Sequence, residues 1–123
     1  MNYLTLKEHL LELSRVYPLK LDDRLRWFII QRFSLPPGYT WTETDVLVDI
    51  PSDYPESPPG VGNSRVYLPQ GLRYCTRKPR DYHEWTGPQG WAWWCYEWIL
   101  WDSRKDNLIT FTELFRTHMT NPP

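Results

Sequence analysis

Between residues 51 and 60 the chain reads Pro51-Ser52-Asp53-Tyr54-Pro55-Glu56-Ser57-Pro58-Pro59-Gly60, with four prolines in ten positions. Each proline removes a backbone donor and locks φ, so neither a helix nor a laddered strand can run through the stretch. A rigid, ordered loop is predicted there, and it divides the pattern of the chain. Upstream, Thr5 and Glu8 have the spacing of a capping box, and Leu6, Leu10 and Leu13 recur at helical spacing, which predicts an amphipathic helix over 5–15. Residues 25–33 are rich in aromatic and β-branched side chains. Residues 44–50 alternate, with Val46, Val48 and Ile50 on one face and Asp45, Leu47 and Asp49 on the other. Pro36, Pro37 and Gly38 between them predict a turn, hence an antiparallel hairpin.

Downstream of the prolines a strand is predicted near 65–68, then an irregular region over 69–90, then a strand-like aromatic run over 91–94. Asp106 or Thr110 is positioned to cap a final helix, Thr110 with Glu113 forming a second capping box. Its apolar stripe is Leu108, Phe111, Phe115 and Met119, and Asn121-Pro122-Pro123 ends it. The expected fold class is α+β, a single domain over 1–123: an N-terminal helix, an antiparallel meander of three to four strands, a long loop region and a C-terminal helix, with the helices on one sheet face.

Composition narrows the function. The 14 Lys and Arg offset 15 Asp and Glu to a formal charge of −1, and no window gathers the like charge that nucleic acid or an anionic membrane would attract. Lys7, Glu8, His9 and Glu12 interrupt the leucines near the start, so that segment does not read as a signal peptide, and no apolar run approaches membrane-spanning length. A cytoplasmic protein is expected, in which Cys75 and Cys95 stay reduced. Two cysteines and the scattered His9, His83 and His118 lack the paired spacings of a zinc site, so no metal and no cofactor are expected. Six of the eight tryptophans fall between Trp85 and Trp101, a density that more often wedges an irregular loop onto a core than stacks on a ligand. Taken alone, Cys95 between Trp94 and Tyr96 is the kind of cysteine most often found as a small buried hydrophobe.

The order of these features changes that weighting. A helix, a meander, the motif Tyr54-Pro55-Glu56-Ser57-Pro58-Pro59 directly after the second long strand, and a cysteine before a closing helix resemble the ubiquitin-conjugating fold in a short prokaryotic branch. The segment Tyr82-His83-Glu84-Trp85, then Gly90, then Cys95 is similar to that family's Tyr-His-Pro-Asn, Gly, Cys signature, with Pro and Asn replaced; Trp101 then stands where the family has its tryptophan. The run Leu35-Pro36-Pro37-Gly38-Tyr39 is similar to prokaryotic subfamilies that accompany ubiquitin-like, activating and deubiquitinating proteins, which implies a bacterial antiviral-defence setting.

The resemblance implies a thioester-carrying transferase whose partners are an adenylating enzyme, a ubiquitin-like protein and a protein substrate, with no nucleic acid and no membrane. It makes Cys95 the catalytic carrier and His83 an organiser of the active-site loop. Tyr82, Gly90, Trp101 and Asp102 become support, with Asp102 or Glu97 as candidates to deprotonate an incoming amine, and Tyr54, Pro55, Pro58 and Pro59 become the structural motif. By the same resemblance the first helix is where an activating enzyme would dock. Cys75 ranks second as carrier, and His9 and His118 are assigned no role. The competing readings are a non-catalytic module of the same fold that binds a ubiquitin-like protein, and an unrelated aromatic-rich ligand-binding domain.

Overall fold

Side chains near each helix start satisfy the backbone donors left over by helical hydrogen bonding. In the computed structural model, which describes residues 1–96 and 99–120, helix α1 spans Tyr3–Ser14 and is capped by Asn2, whose Oδ1 accepts the Thr5 N–H at 3.1 Å. Thr5 is therefore inside the helix, not its cap as the Thr5–Glu8 pattern suggested. The predicted stripe Leu6, Leu10 and Leu13 is buried.

Helix α2 spans Leu108–Thr120, and its cap is neither Asp106 nor Thr110. Asn107 Oδ1 accepts the Thr110 N–H at 2.9 Å while the Asn107 N–H donates to Thr110 Oγ1 at 2.8 Å, a reciprocal box one turn earlier than expected. Asp106 instead accepts the Asp102 N–H at 2.7 Å. Asn107→Ala is accordingly expected to lower stability by about 1 kcal/mol, read as a shift of the urea midpoint at unchanged slope. The expected stop at residues 121–123 lies outside the described residues.

The strands are β1 Leu19–Leu21, β2 Trp27–Ser34, β3 Glu43–Asp49, β4 Val66–Pro69, β5 Tyr82–His83 and β6 Trp91–Trp94, all antiparallel in the order β1-β2-β3-β4-β6-β5. The four longer strands match the expected meander. The three-residue β1 and two-residue β5 are too short to show an alternation, and pairing alone defines them. In β2, Ile30 pairs with Val46 but Phe33 with Thr44, so one extra residue bulges out, with Arg32 at φ +54°. The bulge lets Ile30 and Phe33, three apart in sequence, both enter the core, at 1 % and 0 % exposure.

Both helices contribute to the core formed with one sheet face. Phe28, Val46, Val48, Val66, Leu68, Ala92 and Trp94 share it with the leucines of α1 and with Leu108, Phe111, Phe115 and Met119 of α2. Phe115 touches Phe33 and Trp94 with ring centroids 5.9 and 6.2 Å apart. On the opposite face Ile29, Leu47, Tyr67, Trp93 and His83 align across five strands. The tryptophan cluster is thus divided. Trp94 is buried, Trp91, Trp93 and Trp101 are half-buried, Trp85 is 84 % exposed, and Trp98 lies outside the described residues.

Candidate active site

The proline-rich loop joins α1 to the segment that carries Cys95. Tyr54 is buried, its C=O accepts the Asn2 N–H at 3.2 Å, and its hydroxyl lies 2.6 Å from His9 Nδ1. Burial, and secondarily the charge of Glu12, push the Tyr54 phenol well above its ordinary pKa. It stays protonated at neutral pH, and the His9 tautomer sets which group of the pair donates. His9, given no role from the sequence, is the partner of the motif's tyrosine. The Pro55 C=O accepts the indole N–H of Trp101 at 2.8 Å, and Trp101 also packs against the Tyr54 ring at 6.1 Å.

Pro58 and Pro59 are buried, and Gly60 follows at φ +95°. A Cβ at Gly60 would sit 2.9 Å from the Tyr96 carbonyl oxygen, so the end of the loop presses on the backbone immediately after Cys95. Trp101→Phe removes the only bond described between the Pro55 carbonyl and this tryptophan while keeping a ring against Tyr54. A loss of about 1 kcal/mol in urea unfolding is expected.

Cys95 directly follows β6, is half-buried, and donates its N–H to the Asp81 carbonyl at 2.8 Å, which extends the β5–β6 pairing by one step. Its neighbours Trp94 and Tyr96 both pack against Phe115 and His118 of α2. Alternation then turns residue 95 toward the other side, away from the helices. Burial pushes the Tyr96 phenol up to about 12, so it is neutral and serves as packing. The Asp81 carboxylate in turn lies 3.3 Å from His118 Nε2, and the His118 ring packs on Tyr96 at 4.6 Å. Asp81 and the His118 ring therefore pack the strand beside Cys95 against α2. Sequence reasoning missed both, and no local pattern marks them, because 37 positions separate them and only the packing of α2 brings them together.

The remaining predicted residues take these places. Tyr82 is buried against Trp94 at 6.4 Å, donates its hydroxyl to the Pro69 carbonyl, and accepts the Leu72 N–H at 3.3 Å, so it anchors the turn after β4. His83 pairs with Trp93, and its ring lies on that indole at 5.0 Å with planes 34° apart. Gly90 supplies the φ of +89° that opens β6, and its C=O accepts the Gln70 N–H at 3.1 Å. The Asp102 carboxylate accepts the Arg104 N–H at 3.0 Å and meets its guanidinium at 3.3 Å, contacts that hold it below the usual carboxylate range. Asp102 thus shapes the turn into α2. Glu97 lies outside the described residues.

Cys75 sits elsewhere, on a tight turn in which Tyr74 and Arg77 exchange backbone bonds of 2.7 and 2.9 Å. Cys75 and Thr76 have φ of +49° and +69°, the left-handed pair of a mirror-image hairpin turn. Its thiol is exposed, and its N–H donates to Gly38 O at 2.8 Å. Glu84 and Trp85 stand where the resemblance would have Pro and Asn. Glu84 bonds the Gly71 N–H at 3.1 Å and pairs with Arg73 at 2.9 Å, while Trp85 extends into solvent.

An N-terminal helix, an antiparallel sheet, a tyrosine-proline loop braced on the segment after a cysteine, and a closing helix define a protein of the E2, ubiquitin-conjugating-like class. Residues 5–121 match the family described as Prokaryotic E2 family E, and the chain belongs to that family. Neither the curated proteins nor the solved structures yield a match. Among the described residues no helix is long and apolar enough to cross a membrane.

Proposed function

We propose that this protein accepts a ubiquitin-like protein from an adenylating enzyme as a thioester on Cys95 and passes it to an amine of a protein substrate, within a bacterial pathway of the antiviral-defence kind. The observation that carries the reading is the seat of Cys95: the loop ending in Gly60 bears on the Tyr96 backbone, Trp101 ties that loop to the following segment, and Asp81 pins the Cys95 N–H. In the first step the Cys95 thiolate attacks the carbonyl of the donor thioester and the donor's cysteine leaves as thiolate. In the second, an amine attacks the new thioester, loses a proton, and Cys95 leaves in its turn. Sulfur serves both as nucleophile and as leaving group. The exchange is close to energy-neutral, so holding the thiol in place matters more than strong acid-base assistance.

A specific observation favours a second reading, a module of this fold that binds a ubiquitin-like protein without forming a bond to it. The place of the family's asparagine is taken by Trp85, which offers the site no amide donor. Incubation with ATP, an activating enzyme and its modifier, followed by non-reducing electrophoresis, separates the two. A thiol-sensitive adduct on the wild type that Cys95→Ala lacks supports the carrier. A charged activating enzyme beside an uncharged wild-type chain selects the binding module.

A further inference from the structure

The sheet face turned away from the helices carries a cavity that the carrier chemistry does not use. Ile29 and Leu47 lie side by side in register, and Trp27 stands opposite Asp49 at the next pair on that face. With Pro88 and Trp91 these residues line a cavity of about 290 Å³. Its far wall is held down by the loop before β6. A Cβ on Gly87 would meet the Tyr67 ring at 2.8 Å, so this loop lies directly on the sheet. The volume is at the low end for ligand sites, room for one side chain or a small molecule and too little for a nucleotide.

Five of the lining residues are apolar or aromatic, and the charge comes from Asp49. Its Oδ2 accepts the Arg65 backbone N–H at 3.2 Å and the Tyr67 hydroxyl at 3.4 Å, both neutral donors. The Arg65 guanidinium lies instead over the Trp93 ring, with Cζ 4.2 Å from its centroid. Among the described residues no ion pair includes Asp49. Lys20, opposite Ile29 on β1, is exposed and is not part of the lining. Burial is the largest influence on the Asp49 carboxyl and raises its pKa, against the smaller lowering from the Arg65 N–H, the Tyr67 hydroxyl and the Arg65 charge. Two tryptophans, an aliphatic floor and a half-buried carboxylate complement a group with an apolar stem and a cationic head.

We propose that the Trp27–Trp91–Asp49 cavity binds an alkylammonium group, supplied either by a lysine side chain of a partner protein or by a small free amine. This does not depend on thioester chemistry at Cys95. The test follows the indole N–H resonances of Trp27 and Trp91 in two-dimensional nitrogen–proton NMR spectra, assigned through Trp27→Phe and Trp91→Phe, at constant ionic strength. The probes are n-butylammonium, tetramethylammonium and a blocked Gly-Lys-Gly peptide, each against a neutral counterpart, n-butanol or the norleucine peptide.

Saturable shifts with the cations in the millimolar range, at least about tenfold tighter than the neutral probes, are the expected result. Asp49→Asn, which keeps an acceptor for Arg65 and Tyr67, should erase that preference and leave n-butanol binding as it was. A lysine peptide tighter than butylammonium identifies a partner's side chain, and the reverse order identifies a free amine; either supports the proposal. It is overturned if neutral probes bind as well as cations, if no probe saturates, or if folded Asp49→Asn retains the preference. Should that variant not fold, the comparison of charged with neutral probes on the wild-type protein decides alone.

Discussion

Serine at position 95 is expected to turn a thiol-labile adduct into one that survives reducing agent, and alanine at the same position to remove the adduct altogether. A thioester is opened by free thiols because the leaving thiolate is stable, whereas the alkoxide leaving from a serine ester is far more basic and resists the same exchange. Cys95→Ser should also charge more slowly, since a hydroxyl is a weaker nucleophile near neutral pH. Cys75→Ala should charge like the wild type, because Cys75 lies on an exposed turn held by Gly38, Tyr74 and Arg77, apart from the Tyr54 loop that braces the segment after Cys95. Parallel reducing and non-reducing gels read all three variants. An adduct that persists in Cys95→Ala and vanishes in Cys75→Ala would move the carrier to the turn and remove the meaning given to the Gly60–Tyr96 contact.

Trp94→Ala is expected to lower stability by about 3–5 kcal/mol, a large part of the roughly 5–15 kcal/mol available to a small domain. Trp94 has no exposed surface, pairs with Val66 on one side and Tyr82 on the other, and packs its ring against Tyr39, Tyr82, Phe115 and His118. Truncation opens a cavity where β4, β5, β6 and α2 meet, and a sheet on one side limits how far the walls can close. Urea unfolding at matched slope measures the loss. A loss below about 1 kcal/mol would mean that α2 collapses onto the sheet and that the packing around Trp94 is far softer than its burial implies. Because Cys95 is the next residue, the same experiment run beside the charging assay separates a folding effect from a chemical one. At a urea-free temperature where the variant is still folded, charging should persist.

The two helices were legible because a stripe of leucines or phenylalanines at helical spacing buries the same face whatever the neighbours are, and Leu6, Leu10, Leu13, Leu108, Phe111, Phe115 and Met119 are all in the core. The loop over 51–60 was legible because prolines lack donors. The starts of the helices were not, since Asn2, Thr5 and Asp106 through Thr110 offer several side chains able to cap, and in the folded chain Asn2 and Asn107 make the bonds. At the site, the order of the Tyr54 motif, Gly90, Cys95 and Trp101 was visible as spacing along the chain. The contacts that give this order physical meaning were not, because His9 to Tyr54, Pro55 to Trp101 and Asp81 to His118 each bring together residues far apart in sequence.

The chain by itself therefore determined the two helices, the four longer strands and the rigid loop, and which cysteine follows an aromatic strand ahead of the last helix, since periodicity and missing donors act within a few residues. Only the tertiary structure decided the rest. The short β1 and β5 form because β2 and β6 offer them free edges, the bulge at Arg32 turns both Ile30 and Phe33 inward, and the sheet brings Trp27, Trp91 and Asp49 around one cavity. Each of these follows from strand pairing and packing across the whole domain, interactions whose partners a local pattern does not specify.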